Sequence, residues 1–244
     1  DLVTGFMSTG VKAAAFAAFA RVFLTAFEAL QPDWSQALWV IAAATMLVGT
    51  VVGVAQTSVK RMLAYSSIAH GGYLIAGLIA ANQTAKSAIL FYLLTYAVTN
   101  LGAFGIIGLL ETADRPRDQI SDYAGLWNER PGLAALMAIF LLSLGGFPPF
   151  GGFIAKWYIF TASMEAGYTW LAIIGVLTSV VSVFFYLRVV VMMYMTPSNG
   201  PMAVPAVPKL AGAALLVSAL LVFYLGVLPT QVMNWAAASI GTIF

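Results

Sequence analysis

Apolar residues in this chain do not alternate with polar ones; they run on. Seven apolar stretches can be read, at about 3–27, 37–56, 62–81, 87–110, 132–164, 169–195 and 210–228. Each approaches or exceeds the roughly 20 residues that a helix needs to cross a bilayer core. They predict seven transmembrane spans. The fifth is too long for one straight crossing, and it carries its own interruption: "GGFPPFGG" at 145–152 separates "GLAALMAIFLLSL" from "FIAKWYIF". Pro148 and Pro149 each remove a backbone donor and disfavour a continuous helix. Freed carbonyls at membrane depth are tolerated only against protein or a hydrated cavity, so the break itself predicts internal polarity. The tail 229–244 is mildly amphipathic, and Pro229 ends the last span. Two connectors interrupt the apolar pattern. Residues 111–131 mix both charge signs with Pro116 and Pro131 and predict a loop with a lateral amphipathic stretch; residues 196–208 are Pro-rich and predict a linker.

Composition agrees with a membrane body. Of the 244 residues 61% are hydrophobic and 8% charged, against about 25% charged in a soluble domain. The mean hydropathy is +0.94. A formal net charge of +2 gives no reason to expect a nucleic-acid partner. The sequence has no cysteine and one histidine, His70. Thiolate metal sites, iron–sulfur ligation, disulfides and multi-histidine centres therefore cannot be built from these residues alone. The opening residues Asp1-Leu2-Val3-Thr4 show no signal-peptide pattern and predict a piece of a longer polypeptide, entered just before a span.

Charge fixes an expected orientation. Lys60, Arg61, Arg115, Arg117, Arg130, Arg188 and Lys209 fall in or near the even-numbered connections, whereas Lys86 alone falls on the other side. The bias of lysine and arginine toward cytoplasmic loops places the even connections inside. The three remaining basic residues, Lys12, Arg21 and Lys156, lie within spans.

These intramembrane groups are the candidates for chemistry. A lysine at the centre of a membrane helix costs about 2.5–3.5 kcal/mol on insertion scales. Lys156 lies one turn beyond the break, where a proton-exchanging role competes with a side chain that snorkels to an interface. Lys12 sits mid-span with Ser8 and Thr9 one turn before it. His70 lies in "KRMLAYSSIAHGGY" near Ser66, Ser67 and Tyr73. A neutral imidazole relays protons, and a polar contact between helices explains it equally well. Tyr92, Tyr96, Thr99 and Asn100 mark one side of the fourth span, and Thr178, Ser179, Ser182 and Tyr186 mark the sixth. Either stripe can line a polar path or bond between helices. Arg21 and Glu28, seven positions apart, predict an ion pair or interface anchors, and Glu165 an interfacial group. No nucleophile triad, catalytic carboxylate pair or metal-ligand cluster emerges. What remains favours ion or proton movement.

"QTSVKRMLAYSSIAHGGY", "SDYAGLWNERP", "LLSLGGFPPFGGFIAKWYIF" and "VVSVFFYLRVVVMMYM" together resemble the subunit N family of NADH-quinone oxidoreductase, the antiporter-like membrane subunits of respiratory complex I; "TGFMSTGVKAAAF" resembles the family's eighth span. The resemblance implies an all-α polytopic membrane protein with an antiporter-like fold, inverted five-helix repeats and a discontinuous helix, and a sequence that covers the C-terminal half. Residues 1–29 would be the last helix of the first repeat. Residues 30–195 would be the second repeat, broken within 132–164, and 196–244 the linker, final span and tail. The implied function is proton translocation by a non-redox subunit of the NADH:quinone translocase. Lys12, Lys156 and His70 would form the proton pathway, with Ser66, Tyr96, Thr99, Asn100 and Ser182 as polar lining. No cofactor is implied here; NADH, FMN, iron–sulfur clusters and quinone are expected in partner subunits. The implied partners are the other membrane subunits of complex I and the lipid bilayer. The implied location is the bacterial inner membrane, or alternatively a thylakoid or other energy-transducing membrane. A sodium/proton antiporter or hydrogenase subunit, and a structural scaffold, stand as alternatives.

Overall fold

The computed structural model describes residues 5–111, 117–198 and 206–243. Among these residues there is no strand; an isolated bridge joins Ser58 to Gln119. Among the described residues nine helices longer than one turn carry the fold: α1 (Met7–Ala26), α2 (Gln31–Val54), α3 (Val59–Ala80), α4 (Gln83–Leu110), α5 (Pro131–Gly145), α6 (Gly151–Glu165), α7 (Thr169–Met195), α8 (Lys209–Val227) and α9 (Pro229–Ile243). Six of them, α1 to α4, α7 and α8, are long and apolar enough to cross a membrane. The seventh expected span is the pair α5 and α6. Each half has 15 residues and so reaches only about 22 Å; the crossing needs both.

Several helices begin earlier than hydropathy suggests. α2 starts at Gln31 rather than 37, α3 at Val59 rather than 62, and α4 at Gln83 rather than 87. The added turns are polar, and local capping holds them. Pro32 occupies the first turn of α2, where its missing N–H costs nothing. The Ser58 hydroxyl accepts from Arg61 N at 3.3 Å, and Asn82 Oδ1 accepts from Ala85 N at 2.7 Å. Such side chains satisfy N–H groups that have no partner inside the helix. The tail is also helical, with Pro229 as its first residue.

α3 and α4 are buried along most of their length. α2, α6 and α7 pack against α3, while α5, α6, α8 and α9 pack against α4. The outer helices turn apolar residues outward, among them Val40 and Val51 on α2, Leu177 and Val180 on α7, and Leu216 and Leu220 on α8. Polar side chains instead lie inside. This is the arrangement expected of a body solvated by lipid.

Lys60 and Arg188, two of the basic residues assigned to the even-numbered connections, lie at the same end of the bundle. Lys60 forms ion pairs with Glu111 and, at 3.0 Å, with Asp118. The Arg188 guanidinium donates to the carbonyls of Val54 and Gln56 at the end of α2. The connectors after α2 and α4 and the end of α7 therefore share one end of the bundle. Of the 111–131 connector, residues 112–116 lie outside the described residues, as does the 199–205 part of the linker. The expected pairing of Arg21 with Glu28 is not found among the described residues. α1 ends at Ala26, and Glu28 falls on a separate 3-10 turn, so the two do not share one helical face. Glu28 instead lines a cavity with Lys86, Gln31 and Trp34.

At the break, α5 ends on Gly146 in the left-handed region, φ +87°, a common helix stop that glycine reaches without strain. α6 then starts so close to α5 that a Cβ on Gly152 would lie 1.8 Å from the Ser143 carbonyl oxygen. Backbone cannot yield as a side-chain tip does. Gly152→Ala is therefore expected to destabilise the folded protein by about 3 kcal/mol or more, read as a lowered thermal midpoint in detergent. Gly132→Ala, where a methyl meets nothing within 4 Å, is expected to leave stability unchanged or gain about 1 kcal/mol from helix propensity.

Candidate functional site

The break supplies the first half of the site. Gly146 N and Phe147 N bond back to Leu142 and Ser143 carbonyls, which leaves the Leu144 and Gly145 carbonyls to be satisfied from outside the helix. The Lys156 ammonium, one turn into α6, donates to both, at 2.9 and 3.1 Å, and to Ser179 Oγ of α7 at 2.8 Å. Three donors meet three acceptors. Lys156 is 4% exposed; it does not snorkel to an interface. It closes the C-terminal turn of α5, where the helix dipole is negative. Its Nζ also lies 5.3 Å from the centre of the Tyr73 ring.

Lys12 is the second buried-side ammonium. It follows a π-helical turn, Met7–Val11, and is partly buried. Its Nζ donates to the Ser67 carbonyl and, at 2.8 Å, to Ser67 Oγ on α3. It lies 4.7 Å from the centre of the Tyr96 ring. Ser8 and Thr9 do not reach it. Thr9 bonds to the Gly5 carbonyl at 2.8 Å, and Ser8 bonds to Gly5 and accepts from Asn100 Nδ2 at 2.8 Å.

His70 stands between the two tyrosines that the lysines face. Its ring centre is 5.0 Å from that of Tyr96 and 5.6 Å from that of Tyr73. Nδ1 lies 2.5 Å from the Tyr92 hydroxyl, and Nε2 lies 3.4 Å from the Tyr186 hydroxyl, which also bonds to Ser66. Tyr73 OH is 3.4 Å from Thr178 Oγ1. Side chains of α1, α3, α4 and α6 thus lie in one series of ring and cation contacts, Lys12–Tyr96–His70–Tyr73–Lys156, with Tyr186, Thr178 and Ser179 of α7 beside it. A cavity of about 10 Å³ adjoins it, lined by His70, Tyr92, Tyr96, Thr99, Ser143 and Gly152 among others, close to the volume that one water needs.

The proposed lining residues divide. Tyr96 belongs to the series, and Ser66 borders it through the Tyr186 hydroxyl. Thr99 bonds to the Thr95 carbonyl at 2.7 Å and lies 3.4 Å from Ser143 Oγ, facing the cavity. Asn100 ties α4 to α1 through Ser8. Ser182 turns back to the Ser179 carbonyl of its own helix at 2.6 Å. Ser143, not singled out by its position in the sequence, accepts from Gly152 N at 3.2 Å and so joins the two half-helices. The only sequence signal for it is a serine one turn before the break.

Residues 2–182 match the family model described as NADH:quinone oxidoreductase/Mrp antiporter, TM. The chain belongs to that family. A relative named NADH-quinone oxidoreductase subunit N, from Trichlorobacter lovleyi, is 46% identical over 241 residues, covering 99% of this chain and 50% of the relative. The chain spans about half the length of the curated relatives it matches. Among solved structures, a chain of respiratory complex I from Thermus thermophilus with bound aureothin aligns with a TM-score of 0.73 and 33% identity, over 82% of this chain and 45% of that one. A chain of the Mrp complex from Dietzia sp. aligns with a TM-score of 0.81 at 22% identity, over 93% of this chain and 51% of that one; this likeness concerns the fold alone. The family's all-α, antiporter-like membrane fold, with its discontinuous helix, is the fold described above.

The hydroxyl contacts separate by stability. Ser179→Ala removes one of three acceptors from a buried ammonium and is expected to cost about 1.5–3 kcal/mol. Ser182→Ala removes only a bond to its own helix and is expected to stay within about 0.5 kcal/mol. Thermal unfolding of the two variants in detergent compares them.

Proposed function

We propose that this chain acts as the proton-translocating, non-redox membrane part of a subunit N of NADH:quinone oxidoreductase. The supporting observation is that the two lysines flank a row of packed rings, Tyr96, His70 and Tyr73, whose central imidazole meets the Tyr92 and Tyr186 hydroxyls. Imidazole and hydroxyl groups donate and accept protons alternately, and a lysine that loses its proton becomes an acceptor. Lys12 holds or passes a proton at the α1 side. Lys156 exchanges it at the break. A neighbouring positive charge disfavours a protonated lysine, so charging one member of the series weakens the hold of the next. Ser66 and Tyr96 line the series, with Thr99, Asn100 and Ser182 as outer polar groups.

In this reading residues 1–29 close a first helical repeat. Residues 30–195 form a second five-helix repeat of opposite topology, and 196–244 hold the linker, final span and tail. Inverted repeats with a broken helix at the midplane are a recurring transporter design. NADH, FMN, iron–sulfur clusters and quinone would act in partner subunits, and their redox energy would reach this chain through neighbouring membrane subunits of the same complex. The location is the bacterial inner membrane. A subunit of an Mrp-type antiporter is the second reading, because the matching family includes that class by name; the names of the relatives at 43–46% identity favour the first.

The test uses the whole complex. Lys156→Ala is expected to lower proton translocation by about tenfold or more while subunit content stays normal. Lys156→Arg keeps the charge but does not release its proton, and it is expected to fail similarly. Lys12→Ala and Lys12→Arg are expected to behave alike. Normal proton flux in both Lys156 variants would overturn the proposal.

A further inference from the structure

The last membrane span packs where the reading above gives it no task. α8 does not contribute to the polar series. Yet it meets the interrupted segment at close backbone approach. A Cβ on Gly226 would lie 1.8 Å from the Pro149 carbonyl oxygen and 2.5 Å from the Phe150 carbonyl carbon. A Cβ on Gly151 would lie 2.9 Å from Leu225 Cβ on α8 and 2.9 Å from Thr95 Cγ2 on α4. Val222 and Leu225 are fully buried, and the Phe150 and Phe223 rings meet edge to face, 6.3 Å between centres. The crossover between α5 and α6 is therefore gripped from two sides: α8 and α4 hold residues 149–151, and Ser143 holds Gly152.

We infer that α8 clamps the interrupted helix, with Gly226 as a positioning residue for the Lys156 ammonium. The acceptors that hold the ammonium, Leu144 and Gly145 carbonyls, lie at one end of the crossover, and the lysine itself lies at the other. Three residues after Gly146 comes Pro149, which meets Gly226; one turn after Gly152 comes Lys156. The distance between amine and carbonyls is thus set by how the crossover is seated. A methyl on residue 226 meets backbone rather than a side-chain tip, so it must displace the crossover or push α8 away. The functional part of this inference rests on the proton role proposed for Lys156.

The test has two arms, both in the whole complex. This sequence contains no cysteine, so a Lys156→Cys thiol is labelled by a membrane-permeant reagent and read at that position by peptide mass spectrometry. Adding Gly226→Ala is expected to change the labelling rate several-fold. Gly212→Ala on the same helix, where a methyl makes only an ordinary 3.6 Å contact, is expected to leave it unchanged. In the lysine-bearing protein, Gly226→Ala is expected to lower protons moved per electron pair, by as much as tenfold or so given the sensitivity of transfer to ångström displacements, while NADH oxidation and subunit content hold. A purely structural role would lower both activities together. Phe223→Ala, which loosens the contact instead of crowding it, serves if Gly226→Ala does not assemble, and the same labelling change is expected. Unchanged labelling overturns the clamp. Changed labelling with normal proton flux supports the clamp and overturns the proton role of Lys156.

Discussion

The structure turns on one ammonium closing one helix end. An interruption at membrane depth leaves carbonyls without partners, and no water from bulk reaches them to compensate. A lysine at the same depth carries the opposite problem, a charge with nothing to bond. Each defect is costly alone. Lys156 and the last turn of α5 satisfy each other, with Ser179 taking the third donor. The break and the charge in "GGFPPFGGFIAK" are thus two halves of one arrangement.

That arrangement explains why the polar side chains collect where they do. With the charge fixed between α5, α6 and α7, groups that face it must be buried as well, and buried polar groups need partners. Tyr73 lies over the ammonium, His70 lies beside Tyr73, and Tyr92 and Tyr186 bond to the imidazole. On the far side Tyr96 repeats the pattern toward Lys12. α3 and α4 supply most of these residues, and they are also the most enclosed of the spans. Their burial is a consequence of carrying the polar residues, because lipid would not accept them on the outside.

Much of this was legible in the sequence for a physical reason. Bilayer thickness dictates the length of an apolar run, and glycine and proline punctuate it, so the spans and the break stand out without any tertiary information. The lysines stand out because charge is rare there. Helix rotation is not written so plainly. Ser8 and Thr9 lie one turn from Lys12 but bond to their own backbone and to Asn100, and the lysine finds Ser67 on another helix instead. Ser182 shares a stripe with Ser179 yet turns away. Arg21 and Glu28 have helical spacing, but the helix stops between them. Spacing tells which residues share a face of one helix; which face meets which neighbour depends on packing across five helices, and a single chain's pattern does not encode that locally.

Protonation and backbone geometry are therefore linked at the break under the proposed role. The ammonium has three N–H donors for three acceptors. The neutral amine has two, so losing the proton leaves one acceptor short, either a helix carbonyl or Ser179. An unsatisfied buried acceptor costs about 1–3 kcal/mol, and the ammonium's attraction to the helix terminus disappears in the same step. The crossover then has reason to shift or to admit water into the small cavity beside Thr99 and Ser143. A proton leaving Lys156 would in this way alter the very contacts that hold the charged amine, which is the kind of coupling that a pump requires and that a fixed structural ion pair would not provide.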